Sequence, residues 1–223
     1  HESAITQVRI KLDKTRPRIE NVVVDEIWNQ TKNTIDFSAN DVNVMKAYIA
    51  RKSYDTYEAL VAGEKTELTY ETAISNSNQN QKQNVRVAGS YDATENGTYY
   101  IYFVDEAHNM ISTSCVVKNI DEEIPVVDTI TKNPTDWTKD AIVISGKVSD
   151  LQTGGITTGS GVSFVYYSKD PTDYENKEYN TKATLNAEDG TYEFTIAPKE
   201  ISNTEELNLS GTYYVWVVDS VGR

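Results

Sequence analysis

Four carboxylates bracket the middle of the chain: Asp105, then Asp121, Glu122 and Glu123. Hard oxygen ligands gathered near a junction suit calcium. Their spacing is not that of an EF-hand, and a solvated acidic linker accounts for the same residues. Other chemistry is thinner. The two histidines, His1 and His108, belong to no His-x-x-x-His or Cys/His pattern that would hold zinc. Cys115 stands alone, which excludes an intrachain disulfide and reads as a small buried hydrophobe. The glycine-rich run Gly154 to Gly161 lacks the Gly-Lys-Ser/Thr of a phosphate loop and leads into a strand; it reads as a flexible inter-strand loop. No Gly-x-Ser-x-Gly elbow is present. These residues assign no catalysis and require no cofactor, with calcium as the one ion to consider.

Aromatic rings offer a second kind of chemistry, because sugars stack on exposed rings. Tyr54, Tyr57, Tyr174 and Tyr179 lie in polar, loop-like sequence and are the candidate ligand-binding residues. Most other aromatics fall in strand-like alternation. Ordinary sheet packing accounts for those equally well.

The elements that must position these residues come from a repeat. Gly97-Thr98-Tyr99-Tyr100-Ile101-Tyr102-Phe103-Val104-Asp105 recurs as Gly211-Thr212-Tyr213-Tyr214-Val215-Trp216-Val217-Val218-Asp219. The spacing of 114 residues is that of a whole small domain rather than a solenoid repeat. Asp13 matches Asp121, Ile35 to Phe37 matches Ile142 to Ile144, and Val44 to Tyr48 matches Val162 to Tyr166. The drift in offset places insertions in loops.

Runs rich in β-branched and aromatic residues predict strands at Val22 to Val24, Ile35 to Ala39, Val85 to Val87, Tyr99 to Val104 and Ile111 to Val117. The second copy adds Ile142 to Ile144, Val162 to Tyr167, Tyr192 to Ile196 and Tyr213 to Val218. Turn residues separate them at Asn96-Gly97, Asp189-Gly190 and Ser210-Gly211. The prediction is an all-β chain of two tandem antiparallel β-sandwiches. Residues 13–119 form the first and 120–223 the second. Alternation puts Tyr99, Ile101 and Phe103 on one face and Tyr100, Tyr102 and Val104 on the other. Both faces are apolar, as in a central strand, and Trp216 reads as sheet-face packing. Short helical excursions are expected at Tyr57 to Val61 and at Lys199 to Ile201 with Thr204 to Leu207.

The segment Gly-x-Tyr-x-hydrophobic-x-hydrophobic-x-Asp plus a tight turn, at Asp105 to Asn109 and Asp219 to Arg223, resembles the penultimate strand of bacterial immunoglobulin-like domains. These repeat on surface proteins of Gram-positive bacteria. Asp121, Pro125, Trp137-Thr138, Asp150 and Ser160-Gly161-Val162 extend the resemblance through the second copy. In the first copy Trp28 is displaced from Thr31, no Ser-Gly precedes Val44, and His108 stands where Gly is usual. The resemblance implies two immunoglobulin-like sandwiches, an extracellular location on the bacterial surface, and a non-catalytic stalk that presents other domains. The alternative it leaves open is an adhesin module for a host protein or glycan.

The net charge of −13 is unevenly shared: residues 1–119 hold 13 basic and 16 acidic groups, residues 120–223 hold 8 and 18. Such acidity repels nucleic acid and anionic lipid, and no apolar run reaches the length of a membrane span. Residues 1–12 align with the last strand of a repeat, so they read as a strand of a preceding domain or an N-terminal extension. Neighbouring domains of one longer chain are then the first partners. A second expectation is strand exchange: the basic start of the chain completing the second sandwich of another copy.

Overall fold

The structure is a computed structural model, and it describes residues 10, 12–76, 83–151, 159–172, 181–197 and 209–223. The chain divides into two compact units: His1–Ile27 with Thr31–Ile120, and Trp28–Gln30 with Asp121–Arg223. Each is an antiparallel β-sandwich of the immunoglobulin-like kind.

In the first unit β1 (Arg18–Val24), β2 (Asn33–Asp41), β6 (Gln83–Ala93) and β5 (Glu71–Asn76) form one sheet in the order β1-β2-β6-β5. The other sheet runs β4-β3-β7-β8, from β4 (Thr66–Glu67), β3 (Met45–Ala50), β7 (Gly97–Asp105) and β8 (Met110–Val117). Sheets of strands one, two, six and five against three, seven and eight are the immunoglobulin arrangement. The core follows from period-two alternation: Ile35, Phe37 and Ala39 of β2 meet Tyr99, Ile101 and Phe103 of β7. The Phe37 and Phe103 rings lie 6.1 Å apart and tilted.

The other face of β7 is covered as well, as its sequence predicts. Tyr102 and Val104 pack with Leu60, which is fully buried, from helix α1 (Tyr57–Ala62). Six residues cannot hold a helix alone. Thr56 caps it by accepting from the Ala59 amide at 3.2 Å, and burial of Leu60 anchors it. Tyr102 accepts from the Tyr54 amide at 2.7 Å, which ties the loop before the helix to the sheet.

The second unit repeats the plan. Strands β9 (Val126–Asn133), β10 (Ile142–Ser149), β13 (Thr184–Asn186) and β14 (Thr191–Ile196) form the sheet β13-β14-β10-β9. Strands β11 (Val162–Ser168), β12 (Thr181–Lys182) and β15 (Tyr214–Asp219) form the sheet β12-β11-β15. Among the described residues β15 pairs with β11 only. Val148, Val165, Tyr192 and Phe194 make the core, with Val215 and Val217 packed against it. Tyr214 and Trp216 stack on the opposite face, so Trp216 packs on the outside of its sheet.

A tyrosine stands at the start of the seventh strand of each plan, buried at Tyr99 and half-buried at Tyr213 just before β15. Tyr99 donates to the Glu95 carbonyl at 2.8 Å, and Tyr213 to the Leu209 carbonyl at 3.0 Å, the tyrosine corner of immunoglobulin-type sandwiches. A cation covers each ring: Arg51 lies 4.2 Å from the Tyr99 centroid, and Lys169 lies 5.4 Å from that of Tyr213. The same cations donate to the Asn96 and Ser210 carbonyls.

Several strands lack the pattern that would reveal them. Most of β5, β9 and β13 is exposed and polar, and main-chain pairing to a neighbour defines them. The candidate helix at 199–207 and residues 1–9 and 11 lie outside the described residues. Ile10 and Leu12 are exposed.

Candidate functional site

Each sandwich gathers three aspartates from distant stretches of chain: Asp13, Asp41 and Asp105 in the first, Asp121, Asp150 and Asp219 in the second. In each trio one carboxylate oxygen from each residue lies within 4.8 Å of the others. The convergence follows from topology. Asp41 ends β2 and Asp105 ends β7, while β3 starts opposite Asp105 through the pair Met45 and Asp105. Asp150 follows β10 and Asp219 ends β15 in the same way. Asp13 and Asp121 lie in the segments that lead into β1 and β9.

The turn after each seventh strand is built on its aspartate. Asp105 Oδ1 accepts from the Ala107 and Asn109 amides, both at 2.8 Å. Asp219 Oδ1 accepts from the Val221 and Arg223 amides at 3.0 and 2.7 Å. The fourth residue of each turn is left-handed: His108 at φ 65° and Gly222 at φ 88°. Glycine adopts this backbone freely, whereas a histidine does so at a cost. The His108 ring stacks on Tyr57 with centroids 4.1 Å apart, a contact Gly222 cannot make.

The two trios differ in what closes them. In the first, the Asn109 amide donates to Asp105 Oδ2 at 2.8 Å and the Asn43 amide donates to Asp13 Oδ2. Only Asp41 Oδ2 lacks a partner there. In the second, Arg223 occupies the place of Asn109, and its guanidinium turns to the Glu122 carbonyl at 2.8 Å. Backbone amides of Ser160 and Gly161 hold Asp121 Oδ2 and Asp150 Oδ2, each at 2.6 Å. No donor meets Asp150 Oδ1 or Asp219 Oδ2 at hydrogen-bond geometry, although the Ser160 hydroxyl lies close enough to Asp150 to lower its carboxyl against the effect of burial.

Burial makes these charges expensive. Asp121, Asp150 and Asp219 are 0%, 5% and 2% exposed. Burial raises the Asp150 carboxyl above the usual aspartate range, and the charges of Asp121 and Asp219 add to the rise. Asp41 is raised for the same reasons, burial first and then Asp105 and Asp13. The three ion pairs among the described residues, Lys32–Asp92, Lys46–Glu67 and Arg86–Glu20, involve neither trio.

The carboxylates singled out at the junction are therefore shared out. Asp105 belongs to the first trio and Asp121 to the second; Glu122 is exposed, Glu123 is half-buried, and neither joins a trio. In the sequence Asp13, Asp150 and Asp219 stand only as landmarks of the repeat, and Asp41 is a residue that sequence reasoning misses. The available signal was that all three aspartates recur: Asp13 with Asp121, Asp41 with Asp150, Asp105 with Asp219. The end of the glycine-rich run also matters more than a flexible loop would. Gly159 is buried, and a Cβ on it would lie 2.7 Å from Asp121 Oδ2 and from both oxygens of Asp150.

Of the candidate ring residues, Tyr54 packs on Tyr102 and lines a cleft of about 270 Å³ with Arg51 and Tyr91. Tyr57 is stacked under His108. Tyr174 and Tyr179 lie outside the described residues. Among the described residues the most open ring is another one: Trp137 is 96% exposed beside a groove of about 370 Å³ lined by Ile142, Ile144 and Tyr213.

No family model and no curated protein matches this chain. Among solved structures it is similar to Dpr2 Ig1-Ig2, crystallised in complex with DIP-Theta Ig1-Ig3. The identity is 12%, over 92% of this chain and 97% of that one, with a TM-score of 0.25. The fold stated above rests on strand order and the tyrosine corners, not on this likeness. No helix among the described residues is long and apolar enough to cross a membrane.

Proposed function

We infer that the chain is a spacer: two immunoglobulin-like modules of a bacterial surface protein that hold other domains away from the cell. The observation that carries this reading is repetition in detail. The tyrosine corner, its covering cation and the aspartate-anchored turn are each built twice, at matching positions. The acidity of the chain favours solubility and disfavours nonspecific adhesion. No catalytic role belongs to this reading.

Trp137 favours a second reading, a module that adheres to a glycan or host protein. A large ring left 96% exposed over an apolar groove is the kind of surface a sugar stacks on. A binding screen of the isolated chain against glycans and extracellular-matrix proteins separates the two. The spacer reading expects no saturable binding. Saturable binding that disappears in Trp137→Ala would replace it with the adhesin.

A further inference from the structure

We propose that Asp121, Asp150 and Asp219 of the second sandwich form a site for a divalent cation of the calcium class. The trio Asp13, Asp41 and Asp105 is its counterpart in the first sandwich, closed by amides and of much weaker affinity. This holds whether the chain is a spacer or an adhesin.

An acidic cluster alone would carry nothing. The deciding observation is a pair of orphaned oxygens, Asp150 Oδ1 and Asp219 Oδ2, on residues 95% and 98% buried within the trio. Buried carboxylates are ordinarily paired or hydrogen-bonded, because an unpartnered buried charge is among the costliest features a fold can hold. Three of them together call for positive charge. The neighbouring cation, Arg223, donates to the Glu122 carbonyl instead.

The geometry suits an ion. Calcium binds oxygens at about 2.4 Å, so two ligands on opposite sides of it stand about 4.8 Å apart. One oxygen from each of the three carboxylates falls within that span. Magnesium demands a tighter octahedron at roughly 2.0–2.1 Å and gives up its water reluctantly. The ligands are also held in advance. Amides of Gly161, Val221 and Arg223 fix one oxygen each of Asp150 and Asp219, those of Glu123 and Ser160 hold both oxygens of Asp121, and lone pairs remain for a metal. Gly159 keeps the space beside Asp121 and Asp150 open, since a Cβ there would press on three of their oxygens.

In the first sandwich, the amide nitrogens of Asn109 and Asn43 donate to the oxygens of Asp105 and Asp13. Those amides do part of a cation's work and must be displaced before a metal can bind. One orphaned oxygen remains there, against two in the second trio.

The test uses the full chain stripped of metal with a chelator. Calcium chloride is titrated calorimetrically, and native mass spectrometry counts the ions bound. One calcium per chain is expected, with a dissociation constant of roughly 10⁻⁴ M, as in extracellular modules. Asp150→Asn should weaken it by about tenfold or more, since loss of an outer-shell partner alone costs that much. Asp41→Asn should leave it unchanged. Hydrogen exchange on the unaltered chain gives a reading that does not depend on how a variant folds. Calcium should slow the amides of Ser160, Gly161 and Val221 and leave those of Ala107 and Asn109 unmoved. Absence of binding at about 5 mM calcium, or undiminished binding by a folded Asp150→Asn chain, overturns the site. Two ions of similar affinity, one lost in each variant, overturn the asymmetry.

Discussion

The two sandwiches agree at the start of their seventh strands and part company at the end. At the start, each has a tyrosine bonded four residues back, a cation over its ring, and that cation bonded to the carbonyl before a glycine. At the end, each aspartate anchors the same turn, but asparagine amides close one trio and leave the other open. The cores differ too. The first unit buries both faces of β7, the second covers one face of β15 and leaves Tyr214 and Trp216 half in solvent. Packing that a fold depends on is copied intact; a polar cluster on the rim is where one residue, Asn109 or Arg223, can change the chemistry.

The sharpest way to break the comparison is through the helix that seals the first unit. Leu60→Ala should cost about 2–5 kcal/mol, the range for a fully buried leucine. Thermal unfolding should then resolve two steps, with only the first unit shifted down. A single shifted transition would show that the units do not melt separately.

Next comes the shared turn. Asp105→Ala removes the acceptor of two backbone amides and of the Asn109 side chain, and should destabilise the first unit by roughly 2–3 kcal/mol. Denaturant titration would measure it, and a loss below about 0.5 kcal/mol would mean water replaces the carboxylate.

A subtler exchange sharpens the contrast. Arg223→Asn places the first unit's amide in the second and should satisfy Asp219 Oδ2. We expect about 1 kcal/mol of added stability in the metal-free second unit, the net worth of one hydrogen bond. Differential scanning calorimetry in chelator is the measurement. Lowered stability would show that the Arg223 bond to Glu122 matters more.

The smallest effect is a pH dependence confined to the first unit. The Asn40 amide, and after it the Arg86 guanidinium, hold the Glu20 carboxyl below the usual glutamate range. The resulting stability is present above the unfolded value of about 4.3 and is lost as pH falls through the lower folded value. For a surface pair this is worth under about 1 kcal/mol. Comparing melts of the chain and of Glu20→Gln between neutral and acid pH should show the difference shrinking as pH falls. An unchanged difference would place the effect elsewhere.

Much of this fold is legible in the chain itself. Alternation through Tyr99 to Val104 assigns each side chain to the face it occupies, because a strand buried on both sides leaves no freedom of register. Edge strands such as β5 and β9 carry no such mark, since their pairing rests on main-chain atoms. The aspartate trios were half legible. Their members stand out as repeated landmarks, yet Asp13, Asp41 and Asp105 are far apart in sequence, and only the antiparallel return of β7 beside β3 brings them together.

The second trio also joins two particular points on the chain. Asp121 lies just before β9, and Asp219 closes β15. An ion bound to both acts as a clasp under mechanical load. Tension arriving through the segment before β9 would pass across the metal to the end of β15 instead of peeling β9 from β10 one hydrogen bond at a time. Resistance of that module to pulling would then be set by the concentration of free calcium around it, while the amide-closed first module would yield at the same force in its presence or absence.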